Sequence, residues 1–115
     1  MDRQFSGYSE CQTAIPFDTD NVTNLSEEFY LRDYVNVSFQ LVFADLVGVQ
    51  PAVKLQQTND GTNWDDTGIT HTTTAANEST TKLIVGTTAS AYRWKVTTAS
   101  TSGTCVVTAV GNGRD

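Results

Sequence analysis

From Val35 to Phe43 the chain alternates. Val35, Val37, Phe39, Leu41 and Phe43 fall on one side of an extended strand, and Asn36, Ser38 and Gln40 fall on the other. A side-chain period of two, with β-branched and aromatic residues on one side, requires a second layer for that side to pack against. Val42 interrupts the polar side, which predicts that the far end of that face is covered too. Nowhere does a 3.6-residue period persist long enough for a helix of any length. The chain must therefore build from sheets.

The same grammar recurs. Val53 to Thr58 reads as a strand that runs into Asn59-Asp60-Gly61, three residues that tolerate the positive φ of a tight turn, and leaves through Trp64. Pro51 lacks an N–H and belongs at a strand start or an edge. Asp65-Asp66-Thr67-Gly68 reads as a turn, Ile69 to Thr81 as a loop or ragged edge strand, and Lys82 to Val85 as a short strand ending at Gly86. Ala91 to Thr97 alternates again, with Tyr92, Trp94 and Val96 inward, and Cys105 to Val110 makes the last strand. Seven or so short strands between turn signals predict an all-β fold, a single antiparallel β-sandwich of jelly-roll or immunoglobulin-like kind. Its core is expected to hold Phe39, Phe43, Trp64 and Trp94. Residues 25–115 form the sandwich in this reading. Residues 1–24, polar and interrupted by Gly7 and Pro16, form an irregular N-terminal arm or lead-in segment.

At 115 residues the chain fits one domain with a modest core. Charged residues make up only 17%, and threonine, roughly one residue in six, takes much of their place. The net charge is −6 and the seven Lys and Arg are scattered with no basic run. Sequence-independent binding to nucleic acid needs clustered cations, so no direct nucleic-acid partner is expected. The acidity also disfavours anionic membranes, and no apolar stretch is long enough to span a bilayer. Met1 to Ala14 shows no basic segment followed by an apolar one, so synthesis in a cytoplasm is expected.

Catalysis has little to stand on. His71, the only histidine, lies among threonines in Ile69-Thr70-His71-Thr72 and reads as a solitary surface residue. The carboxylate pairs Glu27-Glu28 and Asp65-Asp66 are adjacent in sequence, and neighbours on a strand point to opposite faces. No enzyme activity, cofactor or metal is expected. The acidic stretch Asp60 to Asp66 offers oxygen ligands for a hard cation, but its spacing departs from the EF-hand loop. The competing reading gives Asp60 to the turn backbone. Asn-x-Ser/Thr at Asn21, Asn24, Asn36 and Asn77 reads as coincidence in so threonine-rich a chain. Cys11 and Cys105 are either two buried thiols, as cytoplasmic folding favours, or one disulfide joining the first segment to the last strand.

The aromatic residues support two readings. Trp64, Tyr92 and Trp94 either fill the sandwich or, with Tyr30 and Tyr34 nearby, line a platform on which sugar rings stack.

Asn36-Val37-Ser38-Phe39-Gln40-Leu41-Val42, the strand-turn from Leu55 to Trp64, Tyr92-Arg93-Trp94-Lys95-Val96 and Thr101-Ser102-Gly103-Thr104 carry a resemblance. Over residues 35–110 the chain resembles small β-sandwich accessory proteins of tailed-phage virions, of the capsid decoration and head-fibre type. The resemblance implies a structural virion protein, made in the host cytoplasm, that stabilises the particle by binding between capsid subunits. Its implied partners are the major capsid protein or other virion proteins, and further copies of itself, a trimer being favoured. The arm then becomes the candidate capsid contact, through Phe5, Tyr8, Ile15 and Phe17. The Asn-Asp-Gly-Thr-Asn-Trp hairpin is also similar to discoidin-type carbohydrate-binding domains. That alternative implies a sugar-binding module of a receptor-binding or adhesion apparatus, with Trp64, Tyr92 and Trp94 as its platform.

Overall fold

The computed structural model describes residues 9–31, 34–87 and 89–113. These residues form nine strands: β1 (Ser9–Thr13), β2 (Phe17–Asp18), β3 (Phe29–Tyr30), β4 (Tyr34–Val47), β5 (Ala52–Thr58), β6 (Asp65–Thr72), β7 (Glu78–Val85), β8 (Ala91–Thr98) and β9 (Ser102–Gly113). One sheet runs β1-β9-β4-β7, with β2 also paired to β9, and the other runs β3-β8-β5-β6. Every pairing is antiparallel.

The pairings nest. β5 pairs β6, β4 pairs β7, β3 pairs β8, and β1 and β2 pair β9. The chain is thus one long hairpin, tipped at the β5–β6 turn and rolled until β4 meets β9 and β5 meets β8. A hairpin rolled in this way is a jelly roll, which settles the two sandwich types left open by the sequence.

Alternation puts one face of each sheet inside. Val37, Phe39, Leu41 and Phe43 of β4 and Cys105, Val107 and Ala109 of β9 meet Val53, Leu55, Trp94 and Val96 of the opposite sheet, all at most 1% exposed. Phe39 sits at the centre. Its ring meets Phe29 at 5.5 Å and Trp94 at 5.6 Å, both edge-on, and Tyr92 at 6.4 Å. Burying each such side chain stabilises by about 1.5–3 kcal/mol. The Trp94 indole N–H has no hydrogen-bond partner among the described residues, a cost of about 1–3 kcal/mol that the ring's apolar burial must exceed.

Several expectations need correction. Val35 is exposed, because a register shift between Tyr34 and Asn36 in the β4–β9 pairing turns it outward and brings Tyr34 in. Trp64 lies half-buried outside the core. Ile69 to Thr81 supplies two edge strands, one per sheet, and Asp65-Asp66-Thr67-Gly68 lies within β6. The β5–β6 register jumps there, from Lys54↔Thr70 to Gln56↔Asp66, and Gly68 adopts a φ of 92°. Of the three residues expected to turn with positive φ, only Gly61 does so, at 77°.

The segment expected as an arm divides. Residues 1–8 lie outside the described residues. From Ser9 onward the chain is part of the sandwich: Ser9–Thr13 and Phe17–Asp18 pair with β9, and Thr19 N–H donates to the Gly103 carbonyl at 3.0 Å. No structural break falls at residue 24, where Asn24 accepts from Val96 N–H at 3.2 Å.

Candidate functional site

Register decides which side chains share a face, and the two outer faces of this sandwich differ in kind. On the β1-β9-β4-β7 sheet, Asn112, Asn36 and Val85 form one row, followed by Val110, Ser38 and Leu83. Then come Thr13, Thr108, Gln40 and Thr81, and a shorter row of Val106, Val42 and Ser79. None of these residues carries a formal charge. The next row, Asp18, Thr104 and Ala44, brings in a charge at Asp18, and Asp45 follows Ala44 on β4.

Several polar groups on this face bond to each other. Thr13 Oγ1 and Thr108 Oγ1 lie 3.2 Å apart, and Gln40 Nε2 donates to Ser79 Oγ at 3.2 Å. Asn36 Oδ1 accepts from Gly86 N–H at 3.3 Å. Leu83 and Val85 are 60% and 73% exposed and Val42 is 40% exposed, so this face presents apolar side chains to solvent.

The outer face of the β3-β8-β5-β6 sheet is charged. Lys54 Nζ donates to Asp66 Oδ2 at 2.9 Å, and this bond is the first reason that the Asp66 carboxyl titrates below its ordinary range. The Arg93 guanidinium lies 4.1 Å from the centre of the Trp64 ring, and its Nε donates to Gln56 Oε1 at 2.9 Å. Lys95 Nζ donates to the Val22 carbonyl at 2.5 Å, and the Tyr30 hydroxyl donates to Glu28 Oε1 at 2.8 Å.

Of the candidate capsid contacts, Phe5 and Tyr8 lie outside the described residues. Ile15 is 66% exposed, two places beyond Thr13, with its N–H donating to Glu27 Oε1 at 2.8 Å. Phe17 is 8% exposed and belongs to the core. The sugar platform is not assembled: Tyr92 and Trp94 are 1% and 0% exposed, inside the sandwich, so of the three only Trp64 stands outside it, beneath Arg93.

Asp60 belongs to its turn. Its carboxylate accepts from Asn63 N–H at 2.8 Å, Thr62 N–H at 2.8 Å, Asn63 Nδ2 at 2.7 Å and Thr58 Oγ1 at 3.1 Å. These donors, the backbone N–H of Asn63 first, hold it far below the ordinary carboxyl range. His71, expected as a solitary surface residue, has two partners. It points inward from β6, stacks on Phe43 at 5.8 Å, and its Nε2 lies 2.5 Å from Glu78 Oε2 on β7. Both side chains are 15% exposed, and together they join the edge strands of the two sheets. The alternation Thr67, Ile69, His71, Thr73 was the available signal. Cys105 is a free, buried thiol. Cys11 pairs with Val110, five residues along β9 and roughly 17 Å away at the spacing of a strand, out of reach of a disulfide.

Asp65 lines a polar recess of about 90 Å³ with Gln57, Thr58, Asn59 and Ala89. That volume accommodates a few waters.

No family model and no curated protein sequence matches the chain. Its fold does match solved structures. The SPBc2 prophage-derived protein YomS is 12% identical, with a TM-score of 0.52, over 96% of this chain and 100% of that one. A chain of the cyanophage Pam1 capsid asymmetric unit is 16% identical, with a TM-score of 0.53, over 100% and 91%. Infectious bursal disease virus VP2, from a subviral particle, is 13% identical, with a TM-score of 0.52, over 99% of this chain and 39% of that one. Identities this low establish a shared sandwich fold, and at that level they agree with the resemblance to accessory virion proteins.

Proposed function

We propose that this chain is a structural protein of a phage virion, a capsid decoration (cement) or other head accessory protein that adds contact area between capsid subunits. The observation that carries the reading is the unlike pair of outer faces. Interface cores are depleted of charge while free surfaces are not. A domain of net charge −6 that keeps formal charge off the rows from Asn36 to Val42 of one sheet face, with Asp18 and Asp45 only beyond them, is organised to be covered there. Fold likeness to a prophage protein and to a chain of a phage capsid unit supports the setting. In this role the protein performs no chemistry; it adds buried surface to a shell under pressure from packaged DNA. Its partners are the major capsid protein or other virion proteins together with copies of itself, and its location is the particle, after synthesis in the host cytoplasm.

The capsid grip is assigned to the residues ahead of Ser9, including Phe5 and Tyr8, together with the exposed Ile15, two places beyond the end of β1. Phe17 is withdrawn from that set because the core uses it. The test is mass spectrometry of purified particles with a copy-number estimate, followed by rebinding of recombinant protein to stripped particles. Wild type should be present in many copies per particle and should rebind. A chain lacking residues 2–8 should keep its folded circular-dichroism spectrum and lose particle binding. Absence from particles rejects the function, and unchanged occupancy after the deletion rejects the arm.

A further inference from the structure

We infer that the charge-free outer face of the β1-β9-β4-β7 sheet binds the same face of a second copy of this chain, about a two-fold axis. The virion reading supplies the biological setting, but the inference stands on the chemistry of the face.

Charge narrows the occupant. Each copy carries −6, so two copies repel unless they meet where neither displays charge. The rows from Asn36 to Val42 provide such a place, with Asp18 and Asp45 outside them. A capsid partner of either sign would be met more strongly by a face bearing opposite charges, as the outer face of the other sheet does with Lys54, Asp66, Arg93 and Lys95. The surface on this molecule that matches a neutral face is that face again.

Hydrogen bonding points the same way. Thr13, Ser38, Ser79, Thr81 and Thr108 bear hydroxyls, each both donor and acceptor, and amide side chains are likewise two-handed. Such groups are complementary to copies of themselves under a two-fold, where residue i meets j and j meets i. Because Thr13–Thr108 and Gln40–Ser79 already bond within the protomer, drying the face strands few polar atoms. Leu83, Val85, Val42 and Val110 supply apolar area among them.

Size sets the strength. Four strands about 4.8 Å apart and four rows of about 6.8 Å give roughly 500 Å² a side and roughly 1,000 Å² for the pair. That is the lower edge of a specific interface, so a reversible dimer of roughly micromolar to millimolar dissociation constant is expected. Pairing of flat faces gives twos, in place of the threes favoured from the sequence resemblance.

The experiment is sedimentation equilibrium of the full chain from about 10 μM to about 1 mM, the range this area implies. Three proteins are compared: wild type, Gln40→Glu at the centre of the face, and Thr97→Glu, an exposed position on β8 in the other sheet. Urea midpoints establish that the variants fold. Wild type should pass from monomer to dimer. Gln40→Glu brings two like charges together in a dried contact and should weaken the dimer at least about tenfold. Thr97→Glu should leave it within about twofold of wild type, as a surface change away from the contact does. A monomer throughout the range, a trimer mass, or equal weakening by Thr97→Glu overturns the inference. So does a wild type that stays monomeric while Gln40→Glu loses particle binding, which would give the face to a capsid subunit. Absence from particles, by contrast, defeats only the virion reading.

Discussion

Phe39 is the point at which the two-layer architecture can be broken most informatively. Its side chain is fully buried on β4, and three rings of the facing sheet surround it: Phe29 and Trp94 edge-on at 5.5 and 5.6 Å, and Tyr92 at 6.4 Å. Truncation to alanine removes the transfer free energy of the ring and leaves a cavity that rigid aromatic neighbours fill poorly, so a loss of about 3–5 kcal/mol is expected. Phe39→Leu retains most of the aliphatic volume but loses the two close edge contacts, each worth about 0.5–1.5 kcal/mol, giving a loss of roughly 1–3 kcal/mol. A domain of this length has a total stability of roughly 6–17 kcal/mol. The alanine variant should therefore fold at 20 °C with a much earlier transition, its melting temperature about 12–20 °C lower. Equilibrium urea unfolding followed by tryptophan fluorescence measures all three proteins. Val49→Ala, at a 62% exposed position, is the control and should stay within about 0.5 kcal/mol. A loss below about 1 kcal/mol for Phe39→Ala, with an unchanged m-value, would mean that Phe39 does not lie between two sheets.

Gly111 on β9 lies beneath the Tyr34 ring, and a Cβ there would sit 2.6 Å from Tyr34 Cγ. Gly111→Ala should therefore cost about 1–3 kcal/mol by overpacking, read from the urea midpoint. Glu78 titrates below its ordinary range, held there first by the Thr74 N–H and also by His71. Its contribution is present above the unfolded carboxyl's pKa and lost as pH falls through the lower folded value. Glu78→Gln should consequently lose stability at pH 7 and show a flatter decline below about pH 4.5, by thermal melts across pH. Burial pushes the Cys105 thiol up to about 12, so a thiol reagent at pH 8 should fail on this residue in folded protein and label it in urea. The same raised value means that stability tied to Cys105 is complete below the unfolded thiol's range, near 8.5, and is lost as pH climbs through the folded value. Cys105→Ala should lessen that alkaline decline.

The strands that alternate sharply were legible because their two sides differ in polarity: Val37 to Phe43, Val53 to Leu55, and Tyr92 to Val96 each place apolar residues inside and polar ones outside. β6 and β7 were hard to read for the converse reason. Threonine suits either face of an edge strand, so Thr70, Thr72, Thr80 and Thr81 give no polarity contrast to phase the alternation. His71 was lost with them, since its partners Phe43 and Glu78 lie 28 and 7 residues away and are brought to it only by the meeting of two sheet edges. Val35 misled because one bulge reverses the side on which a residue falls, and nothing local announces the bulge. Trp64 misled because a large ring was equated with core, whereas it rests beneath a guanidinium on an outer face. The docking face left one trace in the sequence, Val42 among polar neighbours. The rest of that signal needs register. Val42, Val106 and Ser79 become one row only after β4 has paired with strands on both sides. A missing charge is invisible at any single position and becomes informative only when it recurs across four paired strands while the opposite face carries charge. The physical content of this surface therefore resides in the topology: the jelly roll gathers distant uncharged positions onto one plane, and an acidic protein can meet another acidic protein there without opposing like charges.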